Sequence, residues 1–446
     1  MMAAPARFMF YCGPAKVRLI LSRKYFLILK NPGSKKFCRN ACFFDPIEKT
    51  FKETTMTELE KLLNRIDTKK LTELCSRLVR IKSVNPPGDE LAIAQYAADY
   101  LRQAGLETEL VAHGPKRASV LARLKGRGGK PGLLYSAHLD TVPVGAETWL
   151  HDPFSGDVAD GKIWGRGSAD MKGGMAVIMS VARILAQAQV PLQGDLIIGL
   201  TAGEEVDSIG AMTLAARSDL GPVQAVVVAE PSSNQLFIAE KGALQIEITT
   251  HGKTAHGSMP ELGRNAVMMM VALLAELDTL PIPCTPHPML GGFSRSINTI
   301  AGGIKVNVVP DQCTAEVDMR TVPGQNHRDI LARIEESIAA FNKKIPDFSA
   351  GIRILNDRPP VVTPPDDPMV HQFAEMIEQT TGERPTPKGV RYFTDAVAFV
   401  PALNAPMIIC GPGQAVLAHQ PNEYVEIDKL TESARILTLA AFRLLS

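Results

Sequence analysis

Histidines and acidic residues recur at or just beyond apolar runs in five segments of this chain. The first is Ser136-Ala137-His138-Leu139-Asp140. In an extended strand the side chains at i and i+2 share a face, so His138 and Asp140 point together. A metal-binding imidazole usually donates its other ring N–H to a carboxylate, and Asp140 is placed for that role; an ordinary hydrogen-bonded pair is the plain alternative. The second segment is Gly165-Arg166-Gly167-Ser168-Ala169-Asp170-Met171-Lys172-Gly173-Gly174, glycine-rich and followed by a helical pattern. A phosphate cradle is disfavoured there: the GK[ST] ending is missing, no apolar strand leads directly into the loop, and Asp170 would repel an anion. An aspartate at a helix start, open to cations through both oxygens, suits the segment better, beside the plain reading of a helix-start carboxylate.

The third segment, Thr201-Ala202-Gly203-Glu204-Glu205, sets two adjacent carboxylates after an apolar run. They repel each other unless a cation is near, and such a pair allows a division of labour in which one binds metal and the other handles protons. The fourth is Ala229-Glu230-Pro231, and the fifth is Leu417-Ala418-His419-Gln420-Pro421-Asn422-Glu423. Taken singly, each is ordinary surface chemistry.

The elements around them give the segments a common address. Amphipathic patterns at Leu59–Ile66, Leu71–Ile81 and Leu91–Ala104 read as helices, with Pro86-Pro87-Gly88 as a break. Strands are expected at Glu107–Val111, Ser119–Leu124, Gly132–Ala137, Asp195–Thr201 and Ala225–Ala229, with a long helix at Lys172–Ala188. Continuous apolar strands alternating with helices mean an α/β domain with a largely parallel sheet. From Ala243 the texture changes to alternating apolar and polar residues. Strand Ala243–Thr250, helix Asn265–Leu277, strands Ile297–Ala301 and Thr314–Met319, helix His327–Phe341 and strand Ile352–Leu355 make a βαββαβ, ferredoxin-like unit. The α/β texture then resumes with helix Met369–Thr381, strand Pro406–Cys410 and helix Asp428–Leu445. The expected organisation is therefore a larger α/β domain over 56–241 and 357–446, interrupted by a small domain at 242–356.

In open parallel sheets the functional crevice lies beyond the carboxyl ends of the strands. His138, Glu204, Glu205 and Glu230 all fall at such ends, so they are expected to converge. Two histidines and three carboxylates are N/O donors suited to Zn²⁺, Co²⁺ or Mn²⁺, and with one bridging aspartate five ligands serve two metals.

The motifs S-A-H-L-D-T-V-P, G-R-G-S-A-D-M-K-G-G, T-A-G-E-E, A-E-P and A-H-Q-P-N-E resemble those of the dinuclear zinc deacylase and carboxypeptidase family. That family includes acetylornithine deacetylase, succinyl-diaminopimelate desuccinylase, aminoacylase and glutamate carboxypeptidase. The resemblance implies Asp170 as bridging ligand, His138 and Glu230 on one metal, and Glu205 and His419 on the other. It implies Glu204 as general base, Asp140 as the supporting aspartate, and a cis peptide after Asp170. It makes 242–356 a lid and dimerisation domain whose His256, in H-G-K-T-A-H-G-S-M-P, reaches a partner's active site. Asn298, Asn307 and Arg320 resemble lid residues that meet the substrate. Tyr392-Phe393-Thr394-Asp395-Ala396 aligns with a substrate loop while departing from its G-T-x-D/E wording. The implied reaction releases an acetyl or succinyl group from an N-acyl amino acid such as N-succinyl-diaminopimelate or N-acetylornithine, with Arg320 and Arg391 as candidates for a substrate carboxylate. An aminoacylase, a carboxypeptidase, or an inert metal-binding regulatory descendant stay open.

Composition limits the other classes. With 446 residues, 48 Lys+Arg against 47 Asp+Glu, and a net charge of +1, the chain lacks the electrostatic footprint of a nucleic-acid binder. No apolar run is long enough to span a membrane. Seven cysteines without a CxxC pair suit a reducing, cytoplasmic setting and argue against a thiolate zinc site. Residues 1–55 hold eleven bases and three acids. Their apolar runs are split by Arg23 and Lys24, which disfavours a secretory signal; a transit segment or a dispensable extension remain. The expectation is a flexible basic leader without a stable amphipathic face.

Overall fold

The computed structural model describes residues 58–344 and 348–446, together with strands β1 (Arg7–Cys12), β2 (Ala15–Ser22) and β3 (Tyr25–Leu29). The chain divides into two units, Met1–Thr57 and Glu58–Ser446. In the first, β1 pairs with β2 and β2 with β3, both antiparallel. The segments F-M-F-Y, V-R-L-I-L and Y-F-L-I-L are rich in aromatic and branched residues that favour extended pairing. The rest of the expected leader, over 1–6, 13–14, 23–24 and 30–55, lies outside the described residues.

In the second unit the strands are β4 (Glu107–Gly114), β5 (Arg117–Leu124), β6 (Gly132–His138), β7 (Val158–Ala159), β8 (Lys162–Trp164), β9 (Leu196–Thr201), β10 (Val223–Val228) and β11 (Phe237–Glu240). They continue with β12 (Gly242–His251), β13 (Ser294–Gly302), β14 (Gln312–Thr321), β15 (Ala350–Arg358), β16 (Val361–Val362), β17 (Lys388–Val390), β18 (Met407–Ile409) and β19 (Tyr424–Glu426). A nine-stranded sheet runs β16-β11-β18-β10-β6-β9-β5-β4, with β17 also on β11. Its centre, β9-β6-β10-β18, is parallel. The flanks β9-β5-β4 and β18-β11-β16 are antiparallel, which the apolar pattern alone did not reveal.

The central strands are continuous apolar runs because helices cover both faces: every residue of β6 and β9 is buried. Helix Gly173–Gln187 is buried nearly all round and packs against the C-terminal helix Ile427–Leu445. Its first turn lies so close to the end of β10 that a Cβ on Gly174 would stand 2.1 Å from the Ala229 carbonyl oxygen. Only glycine permits that approach, and it brings Asp170 beside Glu230.

The four-stranded sheet has the order β13-β14-β12-β15, all antiparallel. With helices Ala266–Thr279 and His327–Lys344 it forms the βαββαβ unit read from the sequence. Both helices cover one face over a core of Leu244, Ile246, Ile248, Met270, Leu273 and Ile334. The opposite face carries an in-register polar row, Ser296, Asp318, Gln245 and Asn356. Among the described residues, no helix is long and apolar enough to cross a membrane, and Cys75, Cys284, Cys313 and Cys410 are free thiols.

Candidate active site

The parallel centre aligns the carboxyl ends of its strands: His138 is level with Thr201, and Val228 with both Ser136 and Ile409. The loops that leave this edge therefore start side by side. His138 ends β6, Glu204 and Glu205 follow β9, and Glu230 follows β10. Asp170 precedes helix Gly173–Gln187 with a cis Asp170–Met171 peptide, as the resemblance implied.

These side chains meet. His138 Nε2 is 3.0 Å from Asp170 Oδ1 and 3.7 Å from Glu230 Oε1. On the other side, His419 Nε2 is 3.5 Å from Asp170 Oδ2 and 3.1 Å from Glu205 Oε2. Asp170 thus offers one oxygen to each group. Ligand atoms of His138, Asp170 and Glu205 all lie within 4.8 Å of one another. A cavity of about 430 Å³ opens on Asp170, Glu205 and His419, walled by Glu204, Tyr392, Phe393 and, from the small sheet, Gln245, Arg320 and Asn356.

Four carboxyl groups crowd this pocket, and burial is costly for each charge unless a counter-charge is present. Burial, with Glu230 and Glu205 beside it, pushes the Glu204 carboxyl well above the usual range. Burial and the Asp170 charge do the same to Glu230. Burial opposes protonation of His138, yet the Asp170 hydrogen bond and the Glu230 charge outweigh it and hold the imidazole well above its ordinary value. His419 is raised by its bond to Glu205. A surplus of buried carboxylates around two imidazoles, with oxygen and nitrogen donors and no thiolate, fits two hard or borderline divalent cations.

The raised values fix a pH dependence for the metal-stripped protein. A carboxyl raised on folding destabilises as pH climbs from its unfolded value, about 4.3, toward the folded one, because the unfolded chain releases its proton first. A raised histidine contributes stability below its unfolded value, about 6.5, and loses it as pH rises through the folded one. Both act in the same direction. The gap in thermal midpoint between metal-loaded and chelator-stripped protein should widen from pH 5 to pH 8; a constant gap would mean that these groups do not sense the metals.

Asp140 supports the site differently from the sequence reading. His138 Nδ1 meets the Asp140 backbone carbonyl at 3.0 Å, while the carboxylate is 3.7 Å away. The carboxylate is taken by other donors: Gly203 N at 3.0 Å, Glu204 N at 3.2 Å, Glu205 N at 3.3 Å and Asn85 Nδ2 at 2.9 Å. One aspartate thereby orients the imidazole through its main chain and the Glu204–Glu205 turn through its side chain.

Other expected residues are not brought together here. His256 is exposed, with Nδ1 at 2.7 Å from Ser258 Oγ, and it does not line the cavity. Asn298, Asn307 and Arg391 are exposed and also outside it. Arg320 does line it, paired with Asp318 at 3.0 Å.

Two site residues escaped the sequence reading although both stand inside the quoted motifs. Glu423 accepts from Gly167 N at 3.0 Å, Ala169 N at 2.9 Å and Asp170 N at 3.0 Å, and pairs with Arg166 Nη1 at 2.6 Å. Asp395, buried, accepts from Thr201 Oγ1 at the end of β9.

A probable succinyl-diaminopimelate desuccinylase from Staphylococcus epidermidis is 29% identical over 383 residues, covering 80% of this chain and 93% of that protein. The acetylornithine deacetylase of Proteus mirabilis is 32% identical over 348 residues, covering 75% and 85%. In fold, an M20 family metallo-carboxypeptidase from Sulfolobus solfataricus superimposes with a TM-score of 0.72 at 18% identity, over 85% of this chain and 99% of that one. The profile of Peptidase family M20/M25/M40 matches residues 134–443, and that span takes in the whole cluster from His138 to His419. By that match over well more than half its length, the chain belongs to Peptidase family M20/M25/M40.

Proposed function

We propose that this protein removes an acetyl or succinyl group from an N-acyl amino acid of the N-succinyl-diaminopimelate or N-acetylornithine kind, using two divalent ions, zinc before cobalt or manganese. The observation that carries the reading is Glu204: a carboxyl only 7% exposed, on the wall of the cavity that also holds Asp170, Glu230 and His419. The names of the desuccinylase and deacetylase relatives support the acyl choice.

His138 and Glu230 would hold one ion and Glu205 and His419 the other, with Asp170 shared. When bound, the pair of ions polarises the amide carbonyl and lowers the pKa of water at the site. Glu204 takes a proton from the attacking water as the new C–O bond forms, then gives it to the amide nitrogen as the C–N bond breaks. Arg320 offers its guanidinium to a substrate carboxylate. Residues 242–356 act as lid and dimerisation domain, and 56–241 with 357–446 as the catalytic domain. His256 and Asn298 serve the partner's site in a homodimer, which accounts for their exposure outside the cavity of a single chain. The cytoplasm is the proposed setting.

A panel of N-acetyl and N-succinyl amino acids, assayed with Zn²⁺ and Co²⁺, tests the reading. One acyl class should be turned over at least about 100-fold faster than the other, the scale set by leaving a built polar contact unpaired. Peptide cleavage without deacylation would favour a carboxypeptidase. Full metal without turnover of any amide would favour the inert descendant.

A further inference from the structure

The chain leaves the small sheet at the end of β15, where Arg358 directly precedes Pro359-Pro360. The side chain is buried, 9% exposed. Its guanidinium reaches into the turn that carries Glu204 and Glu205: Nη2 donates to the Asp207 carbonyl, Nε to Ser208 Oγ at 3.3 Å, and Nη1 back to the Asp357 carbonyl at 3.2 Å.

The same turn is gripped from the large sheet. Arg117, on β5, donates from Nη1 to Asp207 Oδ2 at 2.7 Å and from Nη2 to Oδ1 at 3.1 Å, and also pairs with buried Glu90 at 3.1 Å. The turn closes on itself through Asp207 N and Ser208 N, both donating to the Gly203 carbonyl. Two guanidinium groups, one from each sheet, therefore hold one short turn.

The strand end from which Arg358 reaches is itself braced. His327 Nδ1 is 2.6 Å from Asp357 Oδ1, and Nε2 is 2.8 Å from Thr321 Oγ1. A carboxylate only accepts, so Nδ1 carries a proton toward Asp357, and Nε2 shares a hydrogen bond with the threonine hydroxyl. Where the chain enters the sheet, a Cβ on Gly242 would lie 2.4 Å from Thr321 Oγ1 and 2.5 Å from the Arg358 carbonyl oxygen, so entry and exit strands are in close contact. A shift of the small sheet at this crossing must carry Arg358 with it.

We propose that Arg358 is a positioning residue that sets the place of Glu204 and Glu205 from the small sheet, and so links the sheet that presents Arg320 to the proton-handling carboxylate. The proposal rests on the roles given above to Glu204 and Glu205. A simple structural pin would matter for stability alone; a positioning residue also alters what the turn does once the protein is folded.

The test uses the full chain with Arg358→Met, which keeps length and loses charge and donors, and Arg358→Lys, which keeps the charge but not the three-way fork. In the metal-loaded enzyme, Arg358→Met should lower kcat about 10- to 100-fold with KM changed less than about threefold, and Arg358→Lys should fall between it and the parent. Zinc titration of stripped protein should show the weaker of two sites loosened about 10-fold, because Glu205 rides on the same turn. Should Arg358→Met not fold, Ser208→Ala removes only the Nε contact and should lower kcat and loosen that site by about 3- to 10-fold. Parental kcat per zinc-loaded molecule together with parental zinc affinity, whatever the thermal midpoint, would overturn the proposal. If the parent hydrolyses no N-acyl amino acid, the functional reading fails while the zinc titration still decides the role of Arg358.

Discussion

Replacing Glu204 by glutamine should cut kcat about 10²- to 10⁴-fold while leaving two metal ions bound and KM nearly unchanged. Glutamine matches the shape of the side chain but neither accepts a proton at neutral pH nor returns one. The site already burdens this carboxyl: burial raises it well above the ordinary range, with Glu230 and Glu205 adding like charge. Removing one negative charge from that crowd relieves repulsion, so the thermal midpoint of the Glu204→Gln protein should hold or rise. Loss of turnover without loss of metal or stability is the signature of a proton carrier. Metal analysis, a thermal melt and steady-state kinetics on one preparation would read all three. A variant that keeps both its metals and its turnover would remove Glu204 from this role.

The convergence of His138, Asp170, Glu205 and Glu230 was legible because each stands where an apolar strand stops or a helix starts, and a parallel sheet brings such points to one edge; His419, in a loop, was legible only through its motif. The small sheet was legible because its strands alternate apolar and polar, as one solvated face requires; β12 shows that pattern from Leu244 onward. Asp140 was only half legible. Its spacing from His138 put both on one strand end, but which of its groups faces the ring depends on the backbone N–H groups of 203–205, more than sixty residues away. Strands of two or three residues, such as β7, β8 and β19, carry no periodicity to read. Arg358 had no sequence signal at all: beyond the neighbouring Asp357 carbonyl, its partners, the Asp207 carbonyl and the Ser208 hydroxyl, lie about 150 residues upstream.

Glu423 shows how much of the site hangs on such distant contacts, and its replacement by alanine should have the largest structural effect. Its carboxylate is fully buried and accepts from the backbone N–H groups of Gly167, Ala169 and Asp170, in the loop that presents Asp170. Its partner Arg166 is buried as well, and also donates to the carbonyls of Gln420 at 3.2 Å and His419 at 3.3 Å. One ion pair therefore ties the loop of Asp170 to the loop of the exposed His419. Alanine strands a buried guanidinium and leaves three N–H groups without their acceptor; removing one partner of such a pair costs about 3–5 kcal/mol. Glutamine keeps one acceptor and should cost less, about 1–3 kcal/mol. Both effects should appear first as lost metal, because the loops that slacken are those that hold Asp170 and His419. Replacing Arg166 and Glu423 together by leucine should recover part of the stability lost in Glu423→Ala, since no buried charge remains unpaired, but not the metal binding. A Glu423→Ala protein with parental midpoint and two tightly held ions would show that the loops are fixed by something other than this pair.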